Sequence, residues 1–196
     1  MDFSIYLASS SPRRRELLSQ IGVSFDLVAA EIEEIPQPGE SAQDYVLRLA
    51  QQKAEAGFAN SERERPALGA DTIVTIDQKI LEKPRDQAHA KEMLALLSGR
   101  VHQVLTAVTL WQDGYSKSVL VKTEVSFKKL SEQEIADYWQ SGEPVDKAAG
   151  YAIQGIAGKF ITNISGSYSG VVGLPLFETA ELIQAFMEEV KECTER

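Results

Sequence analysis

A chain of 196 residues with a net charge of −9 has the length for one domain, or for two lobes sharing a cleft, with an ample core. The acidic balance excludes general nucleic-acid or membrane-surface binding, so any basic patch is local. The single cysteine, Cys193, excludes an internal disulfide and a Cys-based zinc site and suits a reducing compartment. No signal peptide, membrane-length apolar stretch, repeat or low-complexity segment is read, so a soluble cytoplasmic protein is expected.

Phe3-Ser4-Ile5-Tyr6-Leu7 reads as a short strand. After the turn Ser9-Ser10-Ser11, Pro12 opens a helix that carries Leu17, Leu18 and Ile21 and stops at Gly22. Ser11 suits the N-cap, and Pro12 suits the first helical position, where a missing N–H costs nothing. Arg13, Arg14 and Arg15 then break a local rule. The first turn of a helix prefers acidic residues, and Arg14 takes the place where a capping box would put Glu. Either this is an exposed basic turn, or serine hydroxyls, free N–H groups and guanidinium forks hold a polyanion.

Phe25–Val28 reads as a second strand, running into Glu31-Ile32-Glu33-Glu34-Ile35 and a loop marked by Pro36, Pro38 and Gly39. Such a carboxylate cluster is either solvated or a source of oxygen ligands for Mg²⁺ or Mn²⁺. Ser41 caps a helix that is expected to run through Ala56 and close at Gly57, with Tyr45, Val46, Leu49 and Lys53 along one stripe. A lysine on that inward face either snorkels or reaches an anion. Residues 60–66 form a polar surface connection.

Ala67–Ile76 reads as a buried strand with Asp71 at its middle. A charge there is costly unless it is paired or coordinated, which leaves a functional carboxylate or a structural ion pair. A turn at Asp77-Gln78-Lys79 leads to a loop carrying Lys83. Asp86 caps a helix ending at Ser98-Gly99. Val101–Leu110 and Ser118–Phe127 are strands joined by an Asp113-Gly114 hairpin turn, and Ser131 with Glu134 forms a capping box for a helix through Trp139. His102, with no ligand-spaced partner, reads as a satisfied structural histidine. From Asp146 to Pro175 glycines recur beside Lys147, Tyr151, Gln154 and Lys159, as in tight turns or in backbone close to a ligand. A last helix spans roughly Phe177 to Lys191. Alternating strands and helices with a hairpin define an α/β class with a mixed sheet, and spacing alone takes the function no further than an anion-binding enzyme or module.

The ordered set of motifs resembles the Maf family of nucleoside triphosphate pyrophosphatases. Its pieces here are Ser9–Arg14, Glu34, Arg48-Leu49-Ala50 with Lys53-Ala54, Gly69-Ala70-Asp71-Thr72 and Lys83-Pro84. Ser98-Gly99 with His102 and Thr106, Gly155 after Ile153-Gln154, and Val172-Gly173-Leu174-Pro175 complete it. One departure is visible: Lys147-Ala148-Ala149-Gly150 moves the family's Lys-Ala-Gly glycine by one place.

The resemblance implies a mixed twisted sheet flanked by helices, with two lobes around a nucleotide-binding cleft, in one domain covering residues 1–196. It implies hydrolysis of a triphosphate between its α and β phosphates, an acid-anhydride hydrolase reaction, with Asp71 as proton acceptor. A divalent cation, Mg²⁺ or Mn²⁺, would be shared by Glu34 and Asp71. Ser9, Ser10, Ser11, Arg14, Lys53 and Lys83 would hold the triphosphate. Arg13, Thr72 and Gln154 match the family's pyrimidine branch, which implies dTTP and UTP as substrates. Partners would be the nucleotide and, as an open alternative, a second copy in a homodimer; no nucleic acid or membrane is expected. The rival from another class is a nucleotide-binding regulator of cell division without turnover, which would need the cations but no water-activating carboxylate.

Overall fold

Ile5, Leu7, Leu18, Leu49, Leu68 and Leu110 are among the large side chains that water does not reach, and they come from strands and helices that alternate along the chain. The computed structural model describes the backbone of residues 4–194 and side chains as far as residue 190. Phe3, read as the start of a strand, and the Cys193 side chain lie outside what is described. The order is β1 (Ser4–Ala8), α1 (Pro12–Gln20), β2 (Ser24–Leu27), α2 (Ala42–Ala59), β3 (Ala67–Ile76) and β4 (Lys79–Leu81). It continues with α3 (Gln87–Leu97), β5 (Val101–Gln112), β6 (Tyr115–Phe127), α4 (Glu132–Gln140), β7 (Ile161–Ser165), α5 (Tyr168–Val172) and α6 (Leu176–Thr194). The seven strands form one mixed sheet in the order β2-β1-β3-β5-β6-β7, with β4 paired to β3. This is the expected α/β class. No helix among the described residues is long and apolar enough to cross a membrane.

The chain divides into two compact units. The first holds the residues up to Asp71, then Thr106–Val121, and those from Gly173 on. In it β1 pairs in parallel with both β2 and β3, aligning Leu7 with Leu68 and Ala8 with Gly69. Helix α2 begins at Ser41, whose side chain accepts from Asp44 N at 3.2 Å, and it packs Tyr45, Val46, Leu49, Ala50 and Ala54 inward. It does not stop at Gly57 as expected but runs on to Ala59. Tertiary packing overrides the local stop signal: a Cβ on Gly57 would lie 2.5 Å from Ala8 Cβ. Gly69 works the same way from the strand side, since its Cβ would lie 2.3 Å from both Ala50 O and Ala54 N. Helix and strands approach this closely because Gly57 and Gly69 carry no side chain at these two contacts, and the approach fixes where Lys53 and Asp71 stand.

The second unit comprises Thr72–Leu105 and Lys122–Val172. Leu94, Leu97, Val104, Val125, Phe127, Ile135, Tyr138 and Phe160 are core residues in it. His102 stands edge-on to Phe127 and Tyr151, its Nε2 2.7 Å from the Tyr151 hydroxyl, while its Nδ1 is buried without a hydrogen-bond partner among the described residues. The structural role expected of it holds, with only one ring nitrogen satisfied. The Asp77-Gln78 turn opens a strand, β4, that begins at Lys79, a residue expected in the turn, and pairs antiparallel with β3. The glycine-rich stretch contains β7, paired antiparallel to β6, and the short helix α5, neither of them expected.

Candidate active site

The turn after β1 is built by its own serines. Ser11 N donates to Ser9 Oγ at 3.2 Å, and Ser11 Oγ accepts from Arg14 N at 3.5 Å, so Ser11 is the N-cap of α1 and Pro12 its first residue. Ser10 is exposed on the same turn. Arg14 folds back rather than outward: its Nε donates to Gly173 O at 2.9 Å and its Nη1 to Ser9 Oγ at 3.5 Å. Burial, the largest influence, pulls this guanidinium below its ordinary pKa; Asp71 raises it, Arg13 lowers it and Glu34 raises it. An arginine stays charged through such opposition, so a cation is fixed within electrostatic reach of both carboxylates. Arg13 is half-buried, and its Nε has no hydrogen-bond partner among the described residues.

Lys53 is the centre of the array. From α2 its Nζ stands 2.6 Å from Glu34 Oε1 and 2.7 Å from Asp71 Oδ1. The Lys53 and Asp71 side chains are only 12% and 9% exposed, against 45% for Glu34. The buried carboxylate of β3 is therefore paired, as its cost required. The sequence reading gave Lys53 to the phosphates; in this structure it bridges the two acids.

The loop that carries Glu34 is clamped by α2. Tyr45 donates its hydroxyl to Glu34 O at 3.0 Å, and Arg48 Nη2 donates to Ile35 O at 3.0 Å. The Arg48 fork also grips Glu40 at 2.6 and 2.7 Å, which holds that carboxyl down at about 2. Arg48 stood in the motif set without a role, and Tyr45 was read as core. The available signal was their spacing: Tyr45, Arg48 and Gln52 fall on one helical face next to the acidic loop.

Thr72, Lys83 and Gln154 belong to the second unit. Thr72 follows Asp71 directly along β3 and is half-buried; Lys83 and Gln154 are exposed. In the altered turn Ala149 takes the left-handed conformation, φ 53°, followed by Gly150 at φ 69°.

The two carboxylates also permit a test for the implied divalent metal. They already converge on one cationic atom, and both are hard oxygen donors, as Mg²⁺ and Mn²⁺ require. Among the described residues no cluster of three or more His, Cys, Asp or Glu could hold an ion alone. The donor set thus fits a metal that arrives with phosphate and water oxygens, the usual way Mg²⁺ is bound.

This arrangement gathers the cations Arg14 and Lys53 around one buried, cation-paired carboxylate. The Maf-like protein family profile matches residues 4–186, and the chain belongs to that family. It is 55% identical to a dTTP/UTP pyrophosphatase of Vibrio parahaemolyticus serotype O3:K6, over 94% of this chain and 97% of that protein. It is likewise 55% identical to a dTTP/UTP pyrophosphatase of Escherichia coli O157:H7, over 93% of each. A solved nucleoside-triphosphatase / dITP/XTP pyrophosphatase from Mycobacterium abscessus aligns with TM-score 0.45 and 23% identity, over 64% of this chain and 74% of that one. That last likeness is too loose to bear on substrate or mechanism.

Proposed function

We propose that this chain is a nucleoside triphosphate pyrophosphatase that converts dTTP and UTP to the monophosphate and pyrophosphate, acting as one domain in the cytoplasm. The observation that carries the reading is the set Glu34, Lys53, Asp71 and Arg14, held together by α2 and the turn after β1. The names of its relatives support the substrate class.

Asp71 takes the proton of the attacking water. Its strand holds it rigidly, and its burial keeps bulk water from competing for it. Arg14, anchored by Gly173 O, and the Ser9–Ser11 turn hold the phosphate oxygens, with Lys53 and Lys83 adding charge. Phosphoryl chemistry needs this positioning and neutralisation more than it needs a protein nucleophile. Glu34 and Asp71 would hold Mg²⁺ or Mn²⁺, which supplies further charge neutralisation when bound. Arg13, Thr72 and Gln154 read the base. Uracil and thymine present an N3–H donor between two carbonyl acceptors, and the Gln154 amide offers one acceptor and one donor to that edge.

The test is a panel of nucleoside triphosphates with Mg²⁺ or Mn²⁺, scoring pyrophosphate against orthophosphate. Pyrophosphate release from dTTP and UTP ahead of purine nucleotides is expected, and it should be abolished by chelation. Orthophosphate as the product, or binding without turnover across the panel, would overturn the reading.

A further inference from the structure

Glu143 follows the end of α4, in a Gly-Glu-Pro segment to which the sequence reading gave no role. Its carboxylate is half-buried and accepts from three donors, two of them backbone N–H groups of one turn. Oε2 accepts from Ile156 N at 2.7 Å, and Oε1 accepts from Ala157 N at 3.1 Å and from the Tyr138 hydroxyl at 2.9 Å. Ile156 and Ala157 open the short 3₁₀ turn Ile156–Phe160. Burial raises the Glu143 pKa, but the hydrogen bonds outweigh it and leave the carboxyl below its ordinary value, ionised at neutral pH.

The contact also dictates its neighbour. A Cβ on Gly155 would lie 2.2 Å from Glu143 Oε2 and 2.4 Å from its carboxyl carbon, so only glycine lets the carboxylate in. The loop is pinned from its own side as well, by Gly155 N to Ala152 O at 3.1 Å and Gly158 N to Gly155 O at 3.1 Å. Gln154 sits directly before Gly155, exposed and hydrogen-bonded to no described group. Its amide is therefore not occupied in holding the turn. The backbone beneath it is immobilised while its own donor and acceptor are left open.

We infer that Glu143 is a positioning residue for base recognition: it fixes the backbone that presents the Gln154 amide to the pyrimidine. The inference rests on the reading of Gln154 as a base contact. All three groups that meet the carboxylate are donors, so a carboxylate is needed and an amide will not serve, because its NH₂ would face an N–H or an O–H. Glu143 lies outside the phosphate-binding array, so its loss acts on base binding and not on the chemical step.

The experiment compares Gln154→Ala, Glu143→Gln and the double variant on dTTP and dGTP, with Gly155→Ala as a second route to the same displacement. Gln154→Ala and Glu143→Gln are each expected to lower kcat/KM for dTTP about five- to thirtyfold, through KM, with kcat within about twofold of wild type. For dGTP the change should stay within about twofold, and the double variant should be no worse on dTTP than Gln154→Ala alone. Gly155→Ala should reproduce the Glu143→Gln pattern, and it carries the test if that protein is insoluble. If Gln154→Ala leaves dTTP kinetics unchanged, the base-reading role fails and the inference with it. If Gln154→Ala is impaired while Glu143→Gln or Gly155→Ala is normal, the inference alone is overturned. A Glu143→Gln loss that falls equally on dGTP, or that adds to that of Gln154→Ala, also overturns it, in favour of a general scaffold role.

Discussion

Replacing Lys53 by methionine keeps the apolar stem and removes the ammonium. Asp71, 9% exposed, then loses the hydrogen-bonded cation at 2.7 Å, and Glu34, 45% exposed, loses its partner at 2.6 Å. Removing one partner of a buried pair costs roughly 3–5 kcal/mol, whereas a solvent-exposed pair is worth only about 0–1. Asp71 lies near the first limit and Glu34 near the second, and water can relax toward the vacated position. A loss of about 2–4 kcal/mol follows. At roughly 2–4 °C per kcal/mol for a chain of this size, the melting temperature should fall by about 5–15 °C. The variant also bares both carboxylates to an external cation. In nucleotide-free protein, Mg²⁺ or Mn²⁺ should therefore raise the melting temperature of Lys53→Met more than that of wild type, where the ammonium must first be displaced. The available gain is about 2.7 kcal/mol at a hundredfold excess over Kd. A melting temperature within 2 °C of wild type, or a metal-induced shift as large in wild type as in the variant, would refute the account (the 2 °C threshold being about 1 kcal/mol).

Asp71→Asn keeps the side-chain shape and loses the base, so kcat for dTTP should drop roughly 10²- to 10⁴-fold while triphosphate binding survives; more than a tenth of wild-type kcat would place the base elsewhere. Arg48→Ala removes the fork on Glu40 and the bond to Ile35 O and so loosens the Glu34 loop. The metal concentration for half-maximal activity should rise about tenfold or more, and an unchanged metal titration would count against the clamp. Burial depresses His102 to about 4, against about 6.5 when unfolded. Its neutral form is thus favoured by folding, and the associated stability is complete above pH 6.5 and lost as pH falls toward 4. From pH 6.5 to 5 this amounts to about 2 kcal/mol. Urea midpoints over that range should fall in wild type and stay flatter in His102→Asn; parallel curves would assign the acid sensitivity to other groups.

Local chemistry made much of this fold legible. Ser11 with Pro12, the Ser131–Glu134 capping box and the Asp113-Gly114 turn each sit as their side chains and φ preferences dictate. What escaped was set at longer range. Gly57 carries a stop signal, yet α2 runs through it because Ala8 of β1 packs there. β4 is only three residues long, too short to show a period, and exists because β3 offers an edge after the Asp77-Gln78 turn. Arg14, Lys53 and Asp71 could be picked out because each broke a local rule, whereas Lys83 in its loop broke none. Arg48, Tyr45 and Glu143 broke none: an arginine on a half-exposed helix face, or a glutamate after a helix end, is ordinary until its partner is known. Each of them also bonds a backbone group of a loop, Glu34 O, Ile35 O or the N–H groups of Ile156 and Ala157, and side-chain patterning does not reveal such partners.

The position of Lys53 bears on two assignments that compete on paper. The motif gives Lys53 to the phosphates and gives Glu34 and Asp71 to a metal, yet in this structure the lysine satisfies both acids itself. Asp71 cannot stand buried and unpaired, so something cationic must always face it. On the proposed function, Lys53 would move to a phosphate only as another cation takes its place beside Asp71. Arg13, Arg14, Lys53 and Lys83, the cations proposed for the nucleotide, against Glu34 and Asp71 leave two net positive charges, short of what a triphosphate requires. On the proposed function, metal and nucleotide would each improve the site for the other, by equal factors as linkage demands. On that reading, Lys53 between the acids, as found here, and Lys53 on the phosphates would be two states of one exchange, of which the sequence motif describes only the second.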